Sequence, residues 1–249
     1  MNYWKISIQK LLVALLSLMG ILFLGRIYFF LDFLPPDFSV KTSWLETVYV
    51  FLSAFRYDIS IASAIIFIPV LGTLVIIPFL KKIAEIWGDL IFWYINICLF
   101  LSAFLTLVSH YYFYYYRDHF NVYFWEFWEN WENSKLVFRS ISHELPIFRI
   151  VISFFGFLVL IYILPKIIFP ITKPISSFYS KKISLIIIPL ILLVGIRGTF
   201  DILPLTMQRY RGQISSNGHL NMIHGNPYYE IYASWENQIN STDSKKIKL

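Results

Sequence analysis

Four arginines have the right side-chain type and placement to bind an anion. They are Arg56, Arg197, Arg209 and Arg211, each close to the end of an apolar run or just beyond it. A guanidinium offers a planar fork of N–H donors that can hold a phosphate through two parallel hydrogen bonds, which an ammonium cannot do. At headgroup depth such a group takes a lipid phosphate, snorkels to the interface, or pairs with a nearby carboxylate. Asp58 and Asp201 are the acids in reach along the chain. Arg26, inside an earlier apolar run, is expected to snorkel.

Other chemistry finds little support. No nucleophile elbow, P-loop, glycine-rich dinucleotide turn or H-E-x-x-H helix occurs. His219 and His224 are not at the i, i+4 spacing of a helical metal pair, and they read as loop residues. Glu126, Glu129 and their neighbours spread around a helix, as on a solvated face rather than in a metal site. The lone Cys98 sits in an apolar run and has no disulfide partner in the chain.

The elements that must position the arginines are membrane helices. The 249-residue chain is 57% hydrophobic, 20% aromatic and only 14% charged, against about 25% charged residues in soluble domains. Its net charge of +6 is scattered over loops and helix ends, which argues against a nucleic-acid surface. The fold class expected is an all-α membrane protein. Five transmembrane helices are expected, at about 11–34, 59–80, 90–114, 147–169 and 183–200, with interfacial amphipathic helices on the outer face. Residues 43–58 read as a lead-in lying on the membrane surface, and Pro69 and Pro78 as kinks or ends of the second span. Residues 117–133 carry Phe120, Tyr123, Phe124, Phe127, Trp128 and Trp131 on one helical face, expected to point into lipid. Lysines cluster before the first span and in the second and fourth connections, so the N-terminus is expected in the cytoplasm. Residues 201–249 then lie outside, ending in a polar tether from Asn240.

Several short motifs carry a family resemblance. They are Phe55-Arg56-Tyr57-Asp58, Arg197-Gly198, Pro204-Leu205, Asn221 and Asn226-Pro227. With the pattern of apolar helices, they resemble the N-terminal transmembrane domain of the lipoteichoic acid synthase-like, or sulfatase-type, phosphoglycerol transferases. The resemblance implies a bacterial plasma-membrane protein acting on a membrane phospholipid, usually phosphatidylglycerol. It implies a catalytic domain outside the cell, with manganese or another divalent metal and a threonine nucleophile. None of those catalytic residues falls within this chain, which stops at Leu249. The expected role is to anchor that domain, joined in cis or supplied in trans, and to present lipid to it. No cofactor is expected in this chain, and alone it is expected to be inactive. The alternative is a non-catalytic membrane scaffold that binds an extracytoplasmic partner. A transporter fits less well, because five spans do not divide into two inverted halves.

Overall fold

The computed structural model describes residues 3–35, 42–79, 84–121, 123–125, 132, 135, 139, 146–168, 181–199 and 214–246. Among these the only regular structure is helical. The helices are α1 (Tyr3–Asp32), α2 (Trp44–Phe79), α3 (Ala84–Tyr116), α4 (Ile147–Ile168), α5 (Lys181–Arg197), α6 (Gly218–Ile223) and α7 (Pro227–Lys246). Three are long and apolar enough to cross a membrane, over Ser7–Asp32, Trp44–Val75 and Ile86–Tyr116. The expected fourth and fifth spans correspond to shorter apolar stretches, Ile147–Val159 and Ile186–Arg197.

The surface lead-in expected over 43–58 is not a separate element. It is the first part of α2, a 36-residue helix that extends about 54 Å at 1.5 Å per residue. No glycine or proline interrupts the sequence from Trp44 to Ile68, so nothing breaks the helix where the charged residues begin. The helix also runs through Pro69. That residue has no N–H to give to the carbonyl one turn back, and the Tyr94 hydroxyl of α3 donates to Ile65 O instead, at 2.9 Å. The neighbouring Thr73 hydroxyl donates to Pro69 O at 2.7 Å.

Helices α1, α2 and α3 form the centre of the bundle. Leu11, Leu18 and Ile21 of α1, Ala62, Ile66 and Val70 of α2, and Ile95 and Leu99 of α3 are buried together. Small residues set the closest approaches. A Cβ on Gly25 would lie 2.1 Å from Thr106 Cγ2, and one on Gly195 would lie 2.3 Å from Ser63 Oγ. Any side chain there would push α1 from α3, or α5 from α2. Helix α5 ends at Gly198, whose φ of 67° is open to glycine and strained for other residues. Its N–H reaches Val194 O and Gly195 O.

A second, smaller cluster joins Phe29 of α1, Val50 of α2 and Phe113 of α3 to Leu220 and Ile223 of α6. The segment after α5 therefore returns to the bundle instead of leading away from it. Helix α7 also continues to Lys246, well past the Asn240 at which a polar tether was expected.

About half of the expected aromatic helix at 117–133, including Phe127, Trp128 and Trp131, lies outside the described residues. Of the described rings, Tyr123 is exposed, while the others pack on protein. Phe120 is buried against Tyr112, and Phe124 meets both of those rings. Trp125 donates from Nε1 to Ser234 Oγ of α7 at 2.9 Å.

Candidate functional site

Charged and polar side chains concentrate where the returning segment meets α1, α2 and α3. At the centre is an ion pair that sequence reasoning did not find. Arg26 does not snorkel. Its side chain is 3% exposed and faces an Asp58 that is 1% exposed. Nη2 donates to Asp58 Oδ1 at 2.7 Å, and Nε donates to Oδ2 at 3.3 Å. The guanidinium also donates to three backbone carbonyls: Ala54 of α2, and Ile223 and Gly225 of the returning segment. A charge this deep is tolerable only when paired and fully hydrogen-bonded, and Arg26 is both.

Asn226 completes the arrangement. It is 0% exposed and donates from Nδ2 to Asp58 Oδ1 at 2.7 Å. Its Oδ1 accepts from the backbone N–H groups of Tyr228 and Tyr229, at 3.0 and 3.4 Å. Asn226 is thus the N-cap of α7, with Pro227 in the first helical position, where a missing N–H costs nothing. Asn221 orders the approach to α6. Its Oδ1 accepts from the N–H groups of Ile214 and Ser215, both at 2.9 Å. Glu46 at the start of α2 accepts from Ser215 and Ser216. Four motif residues therefore have assigned local roles: Asp58 and Asn226 in the buried network, Pro227 opening α7 and Asn221 tying the loop. Gly198 ends α5 elsewhere.

A second polar group lies beside the first. Glu230 of α7 is 4% exposed and accepts from Ser109 Oγ of α3 at 2.9 Å. His119, just past α3, has Nδ1 at 2.9 Å from Glu230 Oε1 and Nε2 at 2.9 Å from Met222 O. Burial works against a charge on His119, but the Glu230 carboxylate, the Met222 carbonyl and Asp118 together outweigh it and hold the imidazole pKa above its usual value. Burial lowers the pKa of His219. Further contacts fasten the start of α7. Tyr228 meets Ser102 Oγ at 2.7 Å, and Tyr229 meets Ser60 Oγ at 3.2 Å. At the C-terminal end of α1, Asp32 accepts from Arg149 and lies 3.0 Å from His110 Nε2.

The arginines proposed for anion binding fare differently. Arg56 is exposed. Both its hydrogen bonds go to Ser53, at 2.9 Å to the hydroxyl and 3.5 Å to the carbonyl. It does not pair with Asp58, because Asp58 is committed to Arg26 and Asn226. Arg197 is exposed at the end of α5. The preceding Ile196 O accepts from Ser60 Oγ at 2.7 Å, and Ser60 is one helical turn along α2 from Arg56. Arg56 and Arg197 thus occupy neighbouring levels of the bundle. Arg209 and Arg211, with Pro204 and Asp201, lie outside the described residues. Helices α1 and α2 also border an open apolar groove of about 640 Å³, lined by Phe23, Phe30, Trp44, Phe51 and Phe55. Among the described residues no three His, Cys, Asp or Glu side chains come together as a metal site.

Comparison of the chain with protein-family models, with curated proteins and with solved structures finds no match in any of the three.

Proposed function

We propose that this chain is the membrane domain of a lipoteichoic acid synthase-like phosphoglycerol transferase. It anchors an extracytoplasmic catalytic domain, joined in cis or supplied in trans, and presents phospholipid to it from the outer leaflet. The catalytic groups and their divalent metal belong to that domain. The observation that carries this reading is the state of Arg56. It is an exposed guanidinium on an apolar helix, and the acid two residues along is locked to another arginine. A cation in that position needs an anion, and a phospholipid phosphate meets the need with fork geometry.

The depth of Arg56 supports the same reading. From Ile59 to Phe79, α2 extends about 31 Å at 1.5 Å per residue, close to the hydrocarbon thickness of about 30 Å. On α3 the large exposed apolar side chains run from Ile86 to Phe104, then stop until Tyr116. Phe104 is two residues from Thr106, which packs on Gly25 beside Arg26. Two helices thus favour one outer boundary, at the level of Arg26, Asp58, Arg56 and Arg197. Beyond it α1, α2 and α4 keep exposed apolar side chains, among them Trp44, Leu45 and Phe148, as suits headgroup-zone segments. On this reading the N-terminus is cytoplasmic, α4 and α5 complete five crossings of a bacterial plasma membrane, and α6–α7 lie outside.

The test is retention of phosphatidylglycerol by the purified chain, read by native mass spectrometry. Arg56→Lys keeps the charge and loses the fork. Hydrogen bonds to a charged group contribute about 1.5–3 kcal/mol, so retention should fall on the order of tenfold or more. Equal retention by Arg56→Lys and Arg56→Ala variants and the native chain would overturn the lipid site.

A further inference from the structure

Both ring nitrogens of His119 face oxygen acceptors. A backbone carbonyl, Met222 O, lies 2.9 Å from Nε2, and the Glu230 carboxylate lies 2.9 Å from Nδ1. A neutral imidazole carries one N–H, so it can serve only one of them. With that N–H on Nε2, Nδ1 and an ionised Glu230 set lone pairs against each other; with it on Nδ1, Nε2 does the same to Met222 O. A second ring proton, making the imidazolium, removes the conflict in either case and sets opposite charges 2.9 Å apart.

We infer that His119 and Glu230 form a proton-dependent latch that fastens the α6–α7 segment to the outer end of α3. Among the described residues, the other charged groups near Glu230 are committed elsewhere. From α1, Arg26 lines the same small cavity, but it is committed to Asp58. From α3, His110 also lines the cavity, but its Nε2 faces Asp32. Ser109 of α3 donates to Glu230 Oε2 and carries no charge. From α6 only the Met222 carbonyl reaches the ring. Asp118, next to His119 in the chain, adds a second negative charge that favours the protonated form. Gly225 makes room for the contact, since a Cβ there would lie 2.1 Å from Glu230 Oε1 and 2.7 Å from His119 Cε1.

The sign follows from linkage. A histidine whose pKa is raised by docking stabilises the docked state fully below its free value of about 6.5. That stabilisation is lost as pH rises through the docked value. His219 works in the opposite sense, because burial lowers its pKa and docking then weakens on the acid side. The latch does not depend on the transferase reading, since it concerns only how α6–α7 are held.

Hydrogen exchange of α7 amides in the full chain in nanodiscs tests it, from about pH 5.5 to about pH 9 and corrected for intrinsic rates. Protection should fall with rising pH, on the order of tenfold for each unit by which docking raises the pKa. The Glu230→Gln variant keeps the shape and the Ser109 contact, and its profile should lose this step. The His219→Gln variant should keep it. A direct measurement covers the case in which a variant fails to fold. Nitrogen NMR of the His119 ring in the native chain should show it holding its proton above pH 6.5, or sharing it with Glu230. A flat native profile, an unchanged step in Glu230→Gln, or an ordinary titration at His119 would overturn the latch.

Discussion

Removing one member of the Arg26–Asp58 pair should damage the protein more than removing both. Asp58→Leu leaves the Arg26 guanidinium buried with no anion, and its remaining acceptors are the carbonyls of Ala54, Ile223 and Gly225. Breaking a buried pair from one side costs about 3–5 kcal/mol. Arg26→Met should cost more. It strands a carboxylate that keeps only the Asn226 amide, and it strips the donor from the carbonyls, at about 1–3 kcal/mol for each group left unsatisfied. Whole domains are stable by about 5–15 kcal/mol, so either single change consumes a large part of the total.

The double variant, Arg26→Met with Asp58→Leu, has no stranded charge. It should recover several kcal/mol relative to the sum of the single changes, yet stay below the native chain because the Ile223 and Gly225 carbonyls still lack a donor. The assay is reversible unfolding in mixed micelles with two readouts: Trp125 fluorescence, which reports the Trp125–Ser234 contact, and pulse proteolysis across 214–246. If the three variants add to within about 0.5 kcal/mol, the two side chains are uncoupled. That result would refute the claim that their pairing holds the returning segment, as would single changes costing under about 1 kcal/mol.

Two further substitutions probe the same segment. Gly225→Ala forces a Cβ against Glu230 and His119, both of which are held by other contacts. It should cost about 1–3 kcal/mol and appear as faster hydrogen exchange throughout α7. Asn221→Ala removes the shared acceptor of the Ile214 and Ser215 N–H groups. It should cost about 1–3 kcal/mol and open residues 214–217 to proteolysis with little effect on α1–α5.

The long apolar helices could be read from the sequence because length and composition alone specify them. The boundaries of α2 could not. Arg56 and Asp58 look like the edge of a span, yet a charged residue does not stop a helix, and the first proline comes only at position 69. The motif residues were recognised as a set, but not for what they do. Asp58 looked like a neighbour for Arg56, when its true partner lies a whole helix earlier. Snorkelling was the default for Arg26 because a lone charge near the end of an apolar run usually has water within reach. One signal could have corrected this. Arg26 and Asp58 lie equally far from Thr42, on opposite sides of the connection between α1 and α2. Two antiparallel helices joined by a short connection bring such positions to the same depth, where each lone charge answers the other. No comparable signal exists for His119 and Glu230, because their approach depends on where α6 turns.

That turn explains why a largely polar segment returns to an apolar bundle. Leu220 and Ile223 are the main apolar anchors of α6, and they join only a small cluster. The remaining buried side chains of the segment are mostly polar: Ser215, His224, Asn226, Glu230 and Ser234. Apolar contacts tolerate sliding, because one methyl group can replace another. A buried polar group does not, because any other position leaves donors and acceptors unmatched at about 1–3 kcal/mol each. A slip by one residue would part Asn226 from Asp58 and Glu230 from Ser109 and His119 together. The polar contacts therefore fix one register for α6–α7 over α1–α3, and with it the direction in which α7 leaves the bundle. A catalytic domain attached beyond α7, or docking on it, would inherit that direction. In the transferase reading, this is how a domain outside the membrane would be held in a constant relation to a lipid bound at Arg56.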